Sequence, residues 1–149
     1  MIITIPINDF DDKALFFSDI IKNIVITDSV FIRLYYSTPL FTMNGLYISM
    51  PLKINSVEKI YNKTKCFFKV SENEALINSF NTIEKIIIKK LNLENRRPEF
   101  LIEKQLREQN IKLYNFSNDI KNQPINIICK ISGIWDNGQA YGLTYKFIS

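Results

Sequence analysis

The sequence predicts a mainly β, mixed α+β domain in which three strands precede a long helix and two strands follow it. Apolar side chains alternate with a period of two between Val30 and Val70, and again between Ile125 and Ile148. From Ser71 the period changes to the three-and-four spacing of a helix face. Turn-forming residues mark the joins, at Asn44-Gly45, Pro51, Pro98 and Asp136 to Gly138.

The chain has 149 residues, 46% of them hydrophobic, which is enough for one core and too little for two. Residues 1–149 are therefore read as one domain, with 1–22 an N-terminal extension holding a strand "IITIPI" and a short helix around Lys13 to Ile21. The first core strand lies in "NIVITDSVFIRLYYS" (Asn23 to Ser37), where Val30, Ile32 and Leu34 point inward and Phe31, Arg33 and Tyr35 outward. The second is Thr42 to Pro51, entered through the Asn-Gly turn signal. The third runs from about Val57 to Val70.

Ser71 and Glu74 have the spacing of a capping box, and Leu76, Phe80, Ile83 and Ile87 form the apolar stripe of a helix from about Glu72 to Leu91. A shorter helix is expected in "EFLIEKQLREQ" after Pro98, and a polar loop from Asn115 to Pro124. "PINIICKISGIW" (Pro124 to Trp135) and "YGLTYKFI" (Tyr141 to Ile148) complete the strands. Three strands, a helix and two strands is the order of the five-stranded Greek-key barrel called the OB-fold, with its helix between strands three and four.

Charge is concentrated in the third strand. Lys53, Lys59, Lys63, Lys65 and Lys69 face one acid, Glu58, so this stretch alone equals the net charge of +4 of the whole chain. In an extended chain Tyr61, Lys63, Lys65, Phe67 and Lys69 share one side, while Ile60, Thr64, Cys66, Phe68 and Val70 share the other. Ordinary solvent faces carry charges but seldom place flat rings among them. Cations that neutralise phosphates, alternating with rings on which unpaired bases stack, are what single-stranded nucleic acid requires. In an OB barrel Tyr47 on the second strand and Arg33 and Tyr35 on the first extend that face. The bland readings are edge protection by the lysines and ordinary strand packing by the rings.

Catalysis is disfavoured, because the chain has no histidine, no phosphate-cradling glycine loop and no nucleophile motif. Asp9, Asp11 and Asp12 lack calcium-loop spacing and read as a solvated helix start. Cys66 and Cys129 fall on apolar strand faces and read as small hydrophobes, so no metal and no cofactor is expected. No apolar run approaches the roughly 20 residues of a membrane span, and the N-terminus lacks a secretory pattern, which predicts a soluble, intracellular protein. Lysine outnumbers arginine 15 to 4, a bias toward AT-rich codons.

The C-terminal run "KISGIWDNGQAYGLTYKFI" (Lys130 to Ile148) resembles the end of OB-fold single-stranded-DNA-binding proteins of large cytoplasmic DNA viruses and of yeast cytoplasmic linear plasmids, through "ISGIW" and "YGLTYKF". The resemblance implies a replication protein that coats displaced single strands with little sequence preference, working in the cytoplasm on an AT-rich element. It extends the candidate site to Trp135 and Lys146, and to Tyr141 and Tyr145, although the last two lie on the predicted core side. Single-stranded DNA is the expected partner, with RNA, self-association and replication proteins left open. The alternative is a protein-docking module of a replication or transcription complex.

Overall fold

In the computed structural model, residues 3–22, 29–114, 116 and 123–149 are described. The chain is mixed α+β, with eleven strands and two α-helices among these residues. In order they are β1 (Ile5–Pro6), β2 (Leu15–Lys22), β3 (Val30–Ser37), β4 (Thr42–Asn44), β5 (Leu46–Leu52), β6 (Ser56–Ile60) and β7 (Lys63–Phe67). Then come α1 (Glu74–Leu91), β8 (Arg97–Glu99), α2 (Leu101–Arg107), β9 (Asn110–Tyr114), β10 (Ile125–Asp136) and β11 (Ala140–Ile148). They form one eight-stranded sheet and one three-stranded sheet, β6-β7-β9.

β10 organises the large sheet. Antiparallel β11 runs along one edge from Ile128 to Asp136. The other edge is shared: β5 pairs with Ile125 to Ile131 and β3 with Gly133 to Asp136. The register against β11 shifts between Ile131 and Gly133, so the strand changes partner at a bulge. Gly133 is required there, because an added Cβ would lie 2.2 Å from the Ile32 carbonyl oxygen. On the facing chain Gly45, at φ +108°, makes the matching corner between β4 and β5.

The core lies on one face of this sheet, where Leu34, Ile48, Met50, Ile127, Cys129 and Ile131 meet α1 and the inner side of the small sheet. α1 presents Ile77, Phe80, Ile83, Ile87 and Ile88 to it; Phe80, Ile83 and Ile87 belong to the expected stripe, Ile77 and Ile88 widen it, and Leu76 is only partly buried. The capping box does not form. A 3₁₀ turn at Val70–Glu72 precedes α1, and the N-cap is Asn73, whose side chain makes no cap bond. Its oxygen accepts from Lys53 N–H, and its amide donates to the Lys53 and Lys69 carbonyls, tying the exits of β5 and β7 together.

Three further expectations change. The helix around Lys13 to Ile21 is instead a 3₁₀ turn at Asp12–Ala14 followed by β2, so the N-terminal 22 residues supply β1 and β2 to the main sheet. A bulge between Phe17 and Ile20 breaks the two-residue period, which hides the strand from a pattern search. The third predicted strand is a hairpin: Ile60 pairs with Lys63, and Tyr61-Asn62 form the turn. β5 is paired by β10, and among the described residues no ladder joins β5 to β6 or β7, or β7 to β11. Those pairings would close the five-stranded barrel; the strands here lie in two open sheets instead. The predicted loop from Asn115 to Pro124 falls mostly outside the described residues.

Candidate nucleic-acid interface

The three-stranded sheet separates its side chains by parity. Thr64, Cys66, Ile111 and Leu113 are buried against the core. The opposite parity forms an open face: Ser56, Glu58 and Ile60 on β6, Lys63, Lys65 and Phe67 on β7, and Asn110, Lys112 and Tyr114 on β9. The sequence-derived ridge of Lys63, Lys65 and Phe67 is therefore real as a shared face. Its neighbours on β9 were missed, although Ile111 and Leu113 alternate with Lys112 and Tyr114 in "NIKLY".

Within this face Lys65 stands directly opposite Lys112, a like-charge cross-strand pair that disfavours the sheet unless something neutralises it. Neither lysine, nor Lys63, forms an ion pair among the described residues. Glu58 faces Lys65 from β6 without pairing it, so three lysines meet one acid. The ammonium groups lie over rings instead: Lys63 Nζ is 5.3 Å from the Tyr114 centroid and Lys65 Nζ 5.2 Å from that of Phe67.

Tyr61 is at the tip of the hairpin and not on the strand. Its side chain is 99% exposed and its φ is +56°, a left-handed conformation that costs an L-residue roughly 1–2 kcal/mol. An aromatic ring held fully in water on strained backbone is an expensive placement for which the hairpin itself has no packing use.

A second surface lies on the side of the large sheet away from the core. Register places Arg33 beside Gly133, Phe31 beside Trp135, Tyr47 beside Lys130 and Lys130 beside Lys146. Tyr35 pairs with Phe16, which is 54% exposed and was not singled out from sequence. The Trp135 indole lies across Gly142, where a Cβ would meet Cζ2 at 3.0 Å, so one edge of the ring is held and the rest is half-exposed.

The two surfaces meet. A groove of about 390 Å³ is lined by Lys112 and Tyr114 from the small sheet, Trp135, Thr144 and Lys146 from the large one, and Gln105 from α2. Lys112 also lines a concavity of about 340 Å³ with Lys63, Lys65 and Tyr61. Rings and cations thus follow one another from the hairpin tip to the end of β10.

Other predicted residues lie off this track. Lys69 is beyond the end of β7, with its Nζ 4.0 Å from Glu72 Oε1, and its backbone is committed to Asn73. Tyr47 is buried, with 9% of its surface exposed, so its face is not open to a base; Lys130 Nζ lies 5.6 Å from its ring centroid. Tyr141 is buried, and Tyr145 packs edge-on against Phe147 and donates its hydroxyl to Gln105 Oε1 at 2.5 Å. Burial, with the nearby Cys129 and Glu84 as smaller causes, holds the Tyr145 phenol above its ordinary range.

Arg96 Nε donates to the buried Asp136 carboxylate at 2.9 Å, a structural clamp on the β10–β11 turn, and Arg97 pairs with Glu99. Asp11 accepts from the Lys13 N–H in a local turn. Cys66 and Cys129 are buried and free, with burial raising the Cys66 thiol to about 11. Among the described residues no group of acids or cysteines could hold a metal ion, and no helix is long and apolar enough to cross a membrane.

No protein-family model, curated protein or solved structure matches the chain.

Proposed function

We propose that the protein binds single-stranded DNA with little sequence preference, by phosphate neutralisation and base stacking and without catalysis, and that it coats displaced strands during replication of an AT-rich viral or plasmid element in the cytoplasm. The observation that carries this reading is the open face of the small sheet, where Lys65 and Lys112 stand opposed, neither in an ion pair among the described residues, and rings flank them. A polyanion relieves the repulsion, and an unpaired base can use the rings at about 1–3 kcal/mol each. Duplex DNA keeps its bases stacked internally and gains less from Tyr61, Tyr114 or Trp135.

The function does not need a closed barrel. We read the fold as a departure from the OB plan in which the ridge-bearing strand has folded out as a hairpin sheet and kept its outward lysines. Arg33, Tyr35 and Lys146 belong to the same track at its far end; Tyr47 and Lys69 do not.

Fluorescence anisotropy of a dT oligomer of about 30 bases, set against the matching duplex over a salt series, tests the proposal. Binding to the single strand is expected to be at least about tenfold tighter than to the duplex and to weaken steeply with salt. No binding at low salt would sink the proposal and favour the docking of a protein partner on the same face.

A further inference from the structure

The concavity beside the hairpin turn differs from the rest of the track in shape and charge. It is lined by Ile60, Tyr61, Asn62, Lys63, Lys65 and Lys112, so three lysines and, among the described residues, no acid border about 340 Å³. Lys65 and Lys112 are directly opposed, and Lys63 is one step along the same face of β7. Their side chains start about 5 to 7 Å apart, close enough for all three to reach one anion. It also lies at an end: β6 and β7 stop at Ile60 and Lys63, and the Tyr61-Asn62 turn lines it.

An internal phosphodiester carries one charge and two free oxygens. A terminal phosphomonoester carries nearly two charges at neutral pH and three acceptor oxygens. Three neighbouring lysines in one hollow match the second better than the first. A strand end can stop beside the turn with its last base against Tyr61.

Resting on the strand-binding reading above, we propose that this hollow captures the phosphomonoester end of a single strand, with Lys63, Lys65 and Lys112 holding the phosphate and Tyr61 stacking on the terminal nucleotide. In the absence of the strand, the rings of Tyr114 and Phe67 hold Lys63 and Lys65 by cation–π contact, and the phosphate takes over these cations when it binds.

The test compares three dT oligomers of equal length by anisotropy at low salt: unphosphorylated, 5′-phosphorylated and 3′-phosphorylated, with inorganic phosphate as a competitor. One phosphorylated oligomer should bind about fivefold tighter than the unphosphorylated one, the arm that gains naming the end recognised. Lys112→Ala should erase that gain. Displacement of the phosphorylated oligomer by inorganic phosphate at equal concentration would reassign the hollow to a free anion and overturn the strand-end proposal. Equal affinity for all three oligomers would overturn it too, while leaving strand binding intact. Failure of every oligomer to bind would remove both.

Discussion

Glu84→Ala is expected to destabilise the fold by roughly 2–5 kcal/mol, read as a loss of free energy in urea unfolding. Glu84 is on the core face of α1 and fully buried. Its two oxygens accept from the backbone N–H groups of Ile102 and Glu103, each at 2.9 Å, which are the open donors in the first turn of α2. One helix thus caps the next, and the partial positive end of α2 favours the carboxylate. Alanine leaves both donors dry and opens a cavity on the core face of α1. Glu84→Gln keeps one acceptor and is expected to cost less.

The same carboxyl gives a pH dependence of defined sign. Burial raises its pKa above the ordinary value, and the two backbone hydrogen bonds only partly offset that. The folded state therefore holds this proton more tightly than the unfolded chain does. Its contribution is greatest below the ordinary carboxyl pKa and is lost as pH rises through the raised, folded value. The stability of the wild type relative to Glu84→Gln should decline over that window. A difference that is flat or rises with pH would contradict the account.

Gly133→Ala is expected to cost at least about 3 kcal/mol and to disturb the outer face of the large sheet. The new methyl would lie 2.2 Å from the Ile32 carbonyl oxygen and 2.7 Å from the Phe31 ring. Backbone cannot swing aside as a flexible side chain can, so β3 must separate from β10 where β10 changes partner. A loss below about 1 kcal/mol would show that the β3–β10 junction is looser than described.

What the sequence revealed depended on how local the governing interaction was. β3, β11 and β10 up to Ile131 alternate cleanly in sequence, and α1 carries an unbroken stripe; all four were legible. β2 was not, because its bulge shifts the phase and its edge partner β3 decides its conformation. The hairpin was hidden because Tyr61-Asn62 carries no glycine, and lysines on both sides of the turn keep the apparent alternation going. That miss moved Tyr61 from a strand face to a loop tip yet left Lys63, Lys65 and Phe67 together. Lys112 and Tyr114 were out of reach because only the pairing of β7 with β9 brings a segment from beyond both helices to the ridge. Arg96 was visible as a cation, but its partner Asp136 is 40 residues away.

The salt slope of single-strand affinity in the Lys63→Ala, Lys65→Ala, Lys112→Ala triple variant, confirmed folded by a cooperative unfolding transition, tests the central claim most directly. Each phosphate contact contributes about 0.7 to the logarithmic slope for a single strand, so a slope shallower than wild type by about two is predicted. Tyr114→Ala should weaken binding at every salt concentration and leave the slope alone. A triple variant with the wild-type slope and affinity would place the binding surface elsewhere on the molecule.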